Sequence, residues 1–145
     1  MTPESPPTFL LVEDDAAHAG LIERGLRACG VPIEFVRVRH FDEAMEYLYQ
    51  RGVYSRCGRP HLIVLDLALP GVDGHEALRR FKNDKHVRDI PVIVFTASDN
   101  PEDRRLAYEN RANGYVVKPA ELEEFNQMCY ALGQYWAIWN LPCPA

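Results

Sequence analysis

The stretch LIVLDLALPGVDG, residues 62–74, runs four apolar residues straight into Asp66. More apolar residues follow, and the chain then breaks at Pro70-Gly71 and at Asp73-Gly74. A short apolar run bounded in this way reads as a strand buried on both faces. Burying an unpaired carboxylate costs several kcal/mol. A core strand that ends on Asp66 therefore needs something elsewhere in the chain to accommodate that charge.

Working outward, the same grammar repeats. TFLLV (8–12) is an apolar run that stops at Glu13-Asp14-Asp15. In AAHAGLIERGLRACG, Leu21, Ile22 and Leu26 recur at helical spacing and Gly30 suits the residue after a helix end. IEFVRVR (33–39) is a β-branched strand placed toward a sheet edge by its charges. FDEAMEYLYQRG is a helix with Asp42 as its N-cap, and residues 52–60 form a loop. HLIVLD is the third strand and GHEALRRFKND the next helix. IPVIVFTAS is the fourth strand, with Pro91 tolerated at its start. PEDRRLAYENRAN is a helix with Pro101 in its first turn, and GYVVK is the fifth strand. A final helix over roughly 120–138 carries Leu122, Phe125, Cys129, Leu132 and Trp136 as one apolar stripe. Met128, Tyr135 and Trp139 form a second face of that helix, which points to a homodimer.

Five strands alternating with five helices predict an α/β fold with a parallel sheet covered on both faces. The 145 residues fit one domain, with the folded unit at 8–139, a disordered lead-in at 1–7 and a short tail at 140–145. Hydrophobic residues make up 47% and charged residues 26%, enough for a full core without staples. The net charge is −5 with no basic cluster, against a nucleic-acid partner. The four cysteines form no C-x-x-C and read as reduced thiols in a cytoplasmic protein, with no zinc site. No apolar run spans a membrane, and MTPESPPT lacks the pattern of a secretory signal.

In an open parallel sheet, ligands sit outside the carboxyl ends of the strands. Glu13, Asp14 and Asp15 end the first strand, Asp66 the third, Thr96-Ala97-Ser98 the fourth and Lys118-Pro119 the fifth. Gathered at one edge, those carboxylates repel one another, and a divalent cation offsets the repulsion. Mg²⁺ takes oxygen ligands and needs few protein carboxylates. Glu13, Asp14 and Asp66 supply such oxygens, with a backbone carbonyl near Ala68. Lys118 is a partner for Asp66, and Thr96 a hydrogen-bond donor to a bound anion. A carboxylate so placed is equipped as a nucleophile toward phosphorus. The plainer readings are a solvated helix cap for the acids, strand-end caps for Thr96 and Ser98, and core for Tyr115. The five histidines read as structural or surface, with His18 close enough to the acidic turn to line the site.

LLVEDD, LIVLDLALPGVDG, VIVFTAS and GYVVKP, in that order, resemble the four signatures of response-regulator receiver domains. The resemblance spans residues 8–138. It implies a flavodoxin-like, doubly wound sheet of order 2-1-3-4-5 and a phosphoacceptor at Asp66. It also implies Mg²⁺ at Glu13, Asp14 and Asp66, a switch at Thr96 and Tyr115 with small Ala97 making room, and Lys118 before a cis Pro119. Such a protein takes its phosphoryl group from a histidine kinase and carries no other enzyme activity. With no sequence left for an effector after residue 140, output by association is expected. ANGYVVKP and the Trp-bearing last helix are similar to single-domain regulators that serve bacterial phytochromes. Glu13 stands where many receivers have Asp. Ala68, two residues after the acceptor, offers no side-chain hydrogen bond to an attacking water, which leaves the dephosphorylation rate open.

Two other readings compete. A phosphatase using an aspartyl-phosphate would carry a second acid where Ala68 stands. A nucleotide- or flavin-binding module would carry G-x-x-x-x-G-K-[ST] or G-x-G-x-x-G, and neither occurs.

Overall fold

A computed structural model describes residues 5–144. The strands are β1 (Thr8–Val12), β2 (Glu34–Val38), β3 (Leu62–Leu65), β4 (Val92–Thr96) and β5 (Gly114–Val117). The helices are α1 (Ala16–Arg27), α2 (Phe41–Leu48), α3 (Gly74–Asn83), α4 (Pro101–Glu109) and α5 (Leu122–Gln134). A single 3₁₀ turn, Gly52–Tyr54, interrupts the loop after α2. All neighbouring strands are parallel, in the order β2-β1-β3-β4-β5. The expected topology and the edge position of β2 are both present.

Alternation along the strands divides the core. Leu10, Val12, Ile63, Leu65, Val92 and Val94 face α2 and α3, where Tyr47, Leu78 and Phe81 are buried. Phe9, Leu11, Leu62, Val64, Ile93 and Phe95 face α1 and α5, against Ile22, Leu26, Phe125 and Cys129. Apart from Thr8 and Thr96 at their ends, β1, β3 and β4 are apolar because each of these strands is covered on both sides. The register sets Val12 beside both Val38 and Leu65, and Thr96 beside Val117. The carboxyl ends of β1, β3, β4 and β5 therefore finish at one edge.

Three sequence expectations change. The cap of α2 is His40, whose Nδ1 accepts the Glu43 N–H at 3.2 Å, and not Asp42. The helix starts at Phe41 because that ring is buried against Phe81, 5.5 Å between centroids. Asp42 falls in the first turn, where a negative charge still suits the helix dipole. Second, the Lys118–Pro119 peptide is trans, as are all peptides among the described residues. Trans is the lower-energy isomer of an X–Pro bond, and Lys118 reaches its partners from it. Third, α5 does not keep one register to its end. Asn140 N–H bonds Tyr135 O, five residues back, at 2.7 Å, so Tyr135–Trp139 is a π turn. Leu122 is exposed, while Gly133 joins Phe125 and Cys129 in the buried stripe. Met128 packs against the sheet-side core, leaving Tyr135 and Trp139 exposed without it.

α1 and α5 approach closely through two reciprocal seats. A Cβ on Gly25 would lie 2.6 Å from Cys129 Cβ, and one on Gly133 would lie 2.8 Å from the Leu26 carbonyl oxygen and 3.0 Å from Cys29 Cβ. Nothing lies within 4 Å of a Cβ on Gly20, in the same helix α1. The two α1 glycines should therefore respond oppositely to alanine. Gly20→Ala should stabilise by about 1 kcal/mol from helix propensity alone. Gly25→Ala should destabilise by about 1–3 kcal/mol through overpacking. Urea unfolding of both variants checks the sign.

Candidate functional site

The site begins in the turn after β1. Glu13 continues the ladder, its N–H bonding Val38 O at 2.9 Å, and its side chain is buried. Asp14 is exposed. Asp15 caps α1, accepting from Ala17 and His18 N–H at 2.8 and 3.1 Å. Three consecutive acids thus do different work, and the plain cap reading holds for Asp15 alone. Arg37, on β2, donates from Nε to Glu13 O at 3.0 Å and from Nη2 to Asp14 O at 2.7 Å.

Asp66 lies one residue beyond β3, its N–H on Val12 O at 3.2 Å. Its Oδ1 accepts the Ala68 N–H at 3.0 Å, which folds the chain back after the strand. Gly74 N–H bonds Leu67 O at 3.0 Å, and a Cβ on Gly74 would stand 2.3 Å from Leu67 Cα and 2.6 Å from Asp66 O. Only glycine lets α3 start so close behind the carboxylate. Lys118 N–H bonds Thr96 O at 2.7 Å, which brings its side chain across from β5. Its Nζ lies 3.0 Å from Asp66 Oδ2 and 3.3 Å from Glu13 Oε1, and stands over the Phe95 ring at 5.7 Å. Glu13, Asp66 and Lys118, from three strand ends, meet as the sequence predicts.

One ammonium does not saturate two carboxylates. His18 Nδ1 sits 3.3 Å from the same Glu13 Oε1, while Glu13 Oε2 is buried with no partner. Burial pushes the Glu13 carboxyl up to about 7, the neighbouring Asp66 carboxyl adds to the rise, and Lys118 opposes it. An orphaned carboxylate oxygen beside a second carboxylate is a donor set for a hard divalent cation. Among the described residues no three His, Cys, Asp or Glu side chains are already gathered as a closed metal centre. Glu13 and Asp66 are brought together through Lys118, while Asp14, the next residue along from Glu13, is exposed and is not gathered with them.

The β4–α4 loop carries the other predicted residues. Thr96 is buried, and its Oγ1 accepts the Ser98 N–H at 3.3 Å. Ala97 is exposed and lines a cleft of about 440 Å³ with His18, Leu21, Lys118, Leu122 and Phe125. Tyr115 is half-buried, and its hydroxyl donates to Ser98 O at 2.9 Å. Ser98 Oγ bonds Asp103 Oδ2 at 2.5 Å, and His75 Nε2 meets Asp103 Oδ1 at 3.0 Å. These two partners hold the Asp103 carboxyl below its ordinary range. A hydrogen-bonded chain thus runs from Tyr115 on β5 through the loop and α4 to the first turn of α3. Arg37, Ser98, Asp103 and His75 were not singled out for these roles from sequence. For Arg37 a signal was present: a charge at the penultimate position of an edge strand, paired with Leu11 two residues before Glu13 and long enough to reach the turn that follows.

The family model for the response regulator receiver domain matches residues 9–130. The chain belongs to the response regulator receiver family. It is 39% identical over 145 residues to the probable methanogenesis regulatory protein FilR2 of Methanothrix harundinacea, covering 98% of this chain and 92% of that one. The phosphorylated cyanobacterial phytochrome response regulator RcpA superposes with a TM-score of 0.89 at 37% identity, over 97% of this chain and all (100%) of that one. The Mn²⁺-bound form of response regulator Rcp1, a protein of Synechocystis, gives 0.87 at 35%, again over 97% and 100%.

The raised Glu13 carboxyl has a pH consequence. A carboxyl raised in the folded state contributes stability in full below its ordinary 4.5 and loses it as pH rises through about 7. In EDTA, the melting temperature of wild type should therefore fall between about pH 5 and pH 8 more than that of Glu13→Gln. Equal slopes for the two proteins would contradict the burial of an under-compensated Glu13.

Proposed function

We propose that the protein is a phosphorelay switch whose Asp66 accepts a phosphoryl group from the phosphohistidine of a histidine kinase. The observation that carries this reading is the Lys118 ammonium 3.0 Å from Asp66 Oδ2, beside a Glu13 carboxylate with one unpartnered oxygen. An Asp66 oxygen attacks phosphorus as the bond to the kinase imidazole nitrogen breaks, giving an acyl phosphate and a neutral histidine. Lys118 neutralises charge on the phosphoryl oxygens and holds the acceptor in place. Glu13, Asp14 and Asp66, with the Ala68 carbonyl, would hold Mg²⁺, which when bound would supply further positive charge to offset that of a phosphoryl group. Relatives of this fold bind divalent ions, as the Mn²⁺ form of Rcp1 illustrates.

The Thr96 hydroxyl accepts from Ser98 in this state and keeps its own proton to donate to a phosphoryl oxygen. Drawing Thr96 inward moves Ser98, and with it the carbonyl that holds the Tyr115 hydroxyl. The exposed, small Ala97 leaves the space that the ring needs. A two-state loop of this kind requires only a few kcal/mol between its states. Likeness to phytochrome regulators favours a bacteriophytochrome-type kinase, acting in the cytoplasm where ATP is available. The phosphatase alternative is weaker because Ala68 supplies no second acid to release the phosphate.

Incubation with Mg²⁺ and acetyl phosphate should add one phosphate to wild type by intact mass, with slow release. Asp66→Asn should add none and should be no less stable, because it also removes a carboxylate repulsion. Labelling of that variant at an aspartate, or rapid multiple turnover by wild type, would refute the assignment.

The same reading includes a homodimer through the final helix. Tyr135, Ile138 and Trp139 are exposed together, and Trp139 is 74% exposed. Among the described residues the tail does not cover them. Pro142 and Cys143 lie in a cleft with Arg59, Pro60, Asp89 and Pro91, at the opposite edge of the sheet from Asp66. A twofold pairing of this helix end with its copy covers the aromatic pair. Sedimentation should show a dimer on the order of tens of micromolar. Tyr135→Ala with Trp139→Ala should yield a monomer that still accepts phosphate. A monomeric wild type, with and without a phosphoryl analogue, would rule the pairing out.

A further inference from the structure

We infer that Arg37 is a positioning residue for the acidic turn, fixing the backbone of Glu13 and Asp14 so that their carboxylates are presented to a divalent cation. The inference rests on the cation-assisted phosphoryl acceptance proposed above.

The guanidinium takes two successive carbonyls in one fork: Nε to Glu13 O at 3.0 Å and Nη2 to Asp14 O at 2.7 Å. The register explains the reach. Arg37 pairs with Leu11 and Val38 with Val12, so the strand places the side chain beside the turn that follows β1. Glu13 is then held from both ends by β2, its N–H on the Val38 carbonyl and its C=O on the Arg37 side chain. Asp15, next along, is fixed as the cap of α1. Three consecutive residues thus have their backbone determined before any ligand arrives. A partner that orients a metal ligand without touching the metal typically changes affinity by about 10–100-fold when removed. Lysine cannot replace the fork, because an ammonium is a point charge and not two parallel donors in a plane.

Charge and position act in opposite directions here, which makes the test decisive. A guanidinium near the acids repels a cation, so if Arg37 contributed charge alone, its loss would tighten Mg²⁺ binding. If it positions the turn, its loss weakens binding whatever the charge. Arg37→Lys keeps the charge and loses the fork, and Arg37→Met loses both. Mg²⁺ dissociation constants are measured by calorimetry, alongside urea unfolding in EDTA. Both variants should bind Mg²⁺ about 10-fold more weakly than wild type. Phosphate incorporation from acetyl phosphate into Arg37→Lys should return to the wild-type rate when Mg²⁺ is raised to saturation. A purely structural role would lower stability in EDTA and leave the Mg²⁺ constant unchanged, and that result overturns the inference. Tighter binding by Arg37→Met also overturns it. If wild type itself binds no Mg²⁺, the cation-assisted reading falls and takes this inference with it. A wild-type response with an unchanged Arg37→Lys constant removes the role of Arg37 alone.

Discussion

Two carboxylates and one ammonium, drawn from the ends of three parallel strands, set the terms for the rest of this molecule. Asp66 and Glu13 would repel one another in a site nearly closed to water, and Lys118 offsets only part of that repulsion. The sheet must hold all three in place by other means. It does so with buried strands that leave no slack at their carboxyl ends, and with turns fixed by Asp15, Arg37 and the close packing at Gly74. On the function proposed above, the residual imbalance is what would make the site receptive to a cation and then to a phosphoryl group.

The β4–α4 loop is built differently. Thr96 is buried at the strand end, yet the residues after it are held by side chains: Ser98 by Asp103, Asp103 by His75, and the Ser98 carbonyl by Tyr115. Side-chain hydrogen bonds of this kind contribute about 1 kcal/mol each and can be exchanged for others. A rigid carboxylate next to an exchangeable loop is the arrangement that the proposed two-state switch would need. The chain of bonds also joins α3, α4 and β5, so a change at Ser98 reaches two faces of the protein.

Much of this was legible in the residues because the signals were periodic or local. TFLLV, LIVL and VIVFT read as strands buried on both faces, and their ends, with that of GYVV, placed Glu13, Asp66, Thr96 and Lys118 at one edge. What escaped was non-local or depended on register. Arg37 acts on another strand's turn, and Asp103 and His75 meet only after two helices have docked. The α2 cap went to His40 because burial of Phe41 decided where the helix begins. In α5, spacings counted at 3.6 residues per turn grouped Met128 with Tyr135 and Trp139. Met128 packs against the core instead, within the regular part of the helix, and the π turn, invisible to that count, resets the spacing only beyond Tyr135.

The reciprocal seats between α1 and α5 have a chemical side. All four cysteines are free, but Cys29 and Cys129 are buried at the two glycine contacts, and burial pushes the Cys129 thiol up to about 12. Neither sulfur is open to an alkylating reagent while the helices stay together. Cys143 is exposed and Cys57 partly so. The native protein therefore carries two reachable sulfurs and two masked ones. The masked pair becomes available only when α1 parts from α5, so alkylation of Cys29 and Cys129 keeps time on the opening of one specific helix contact.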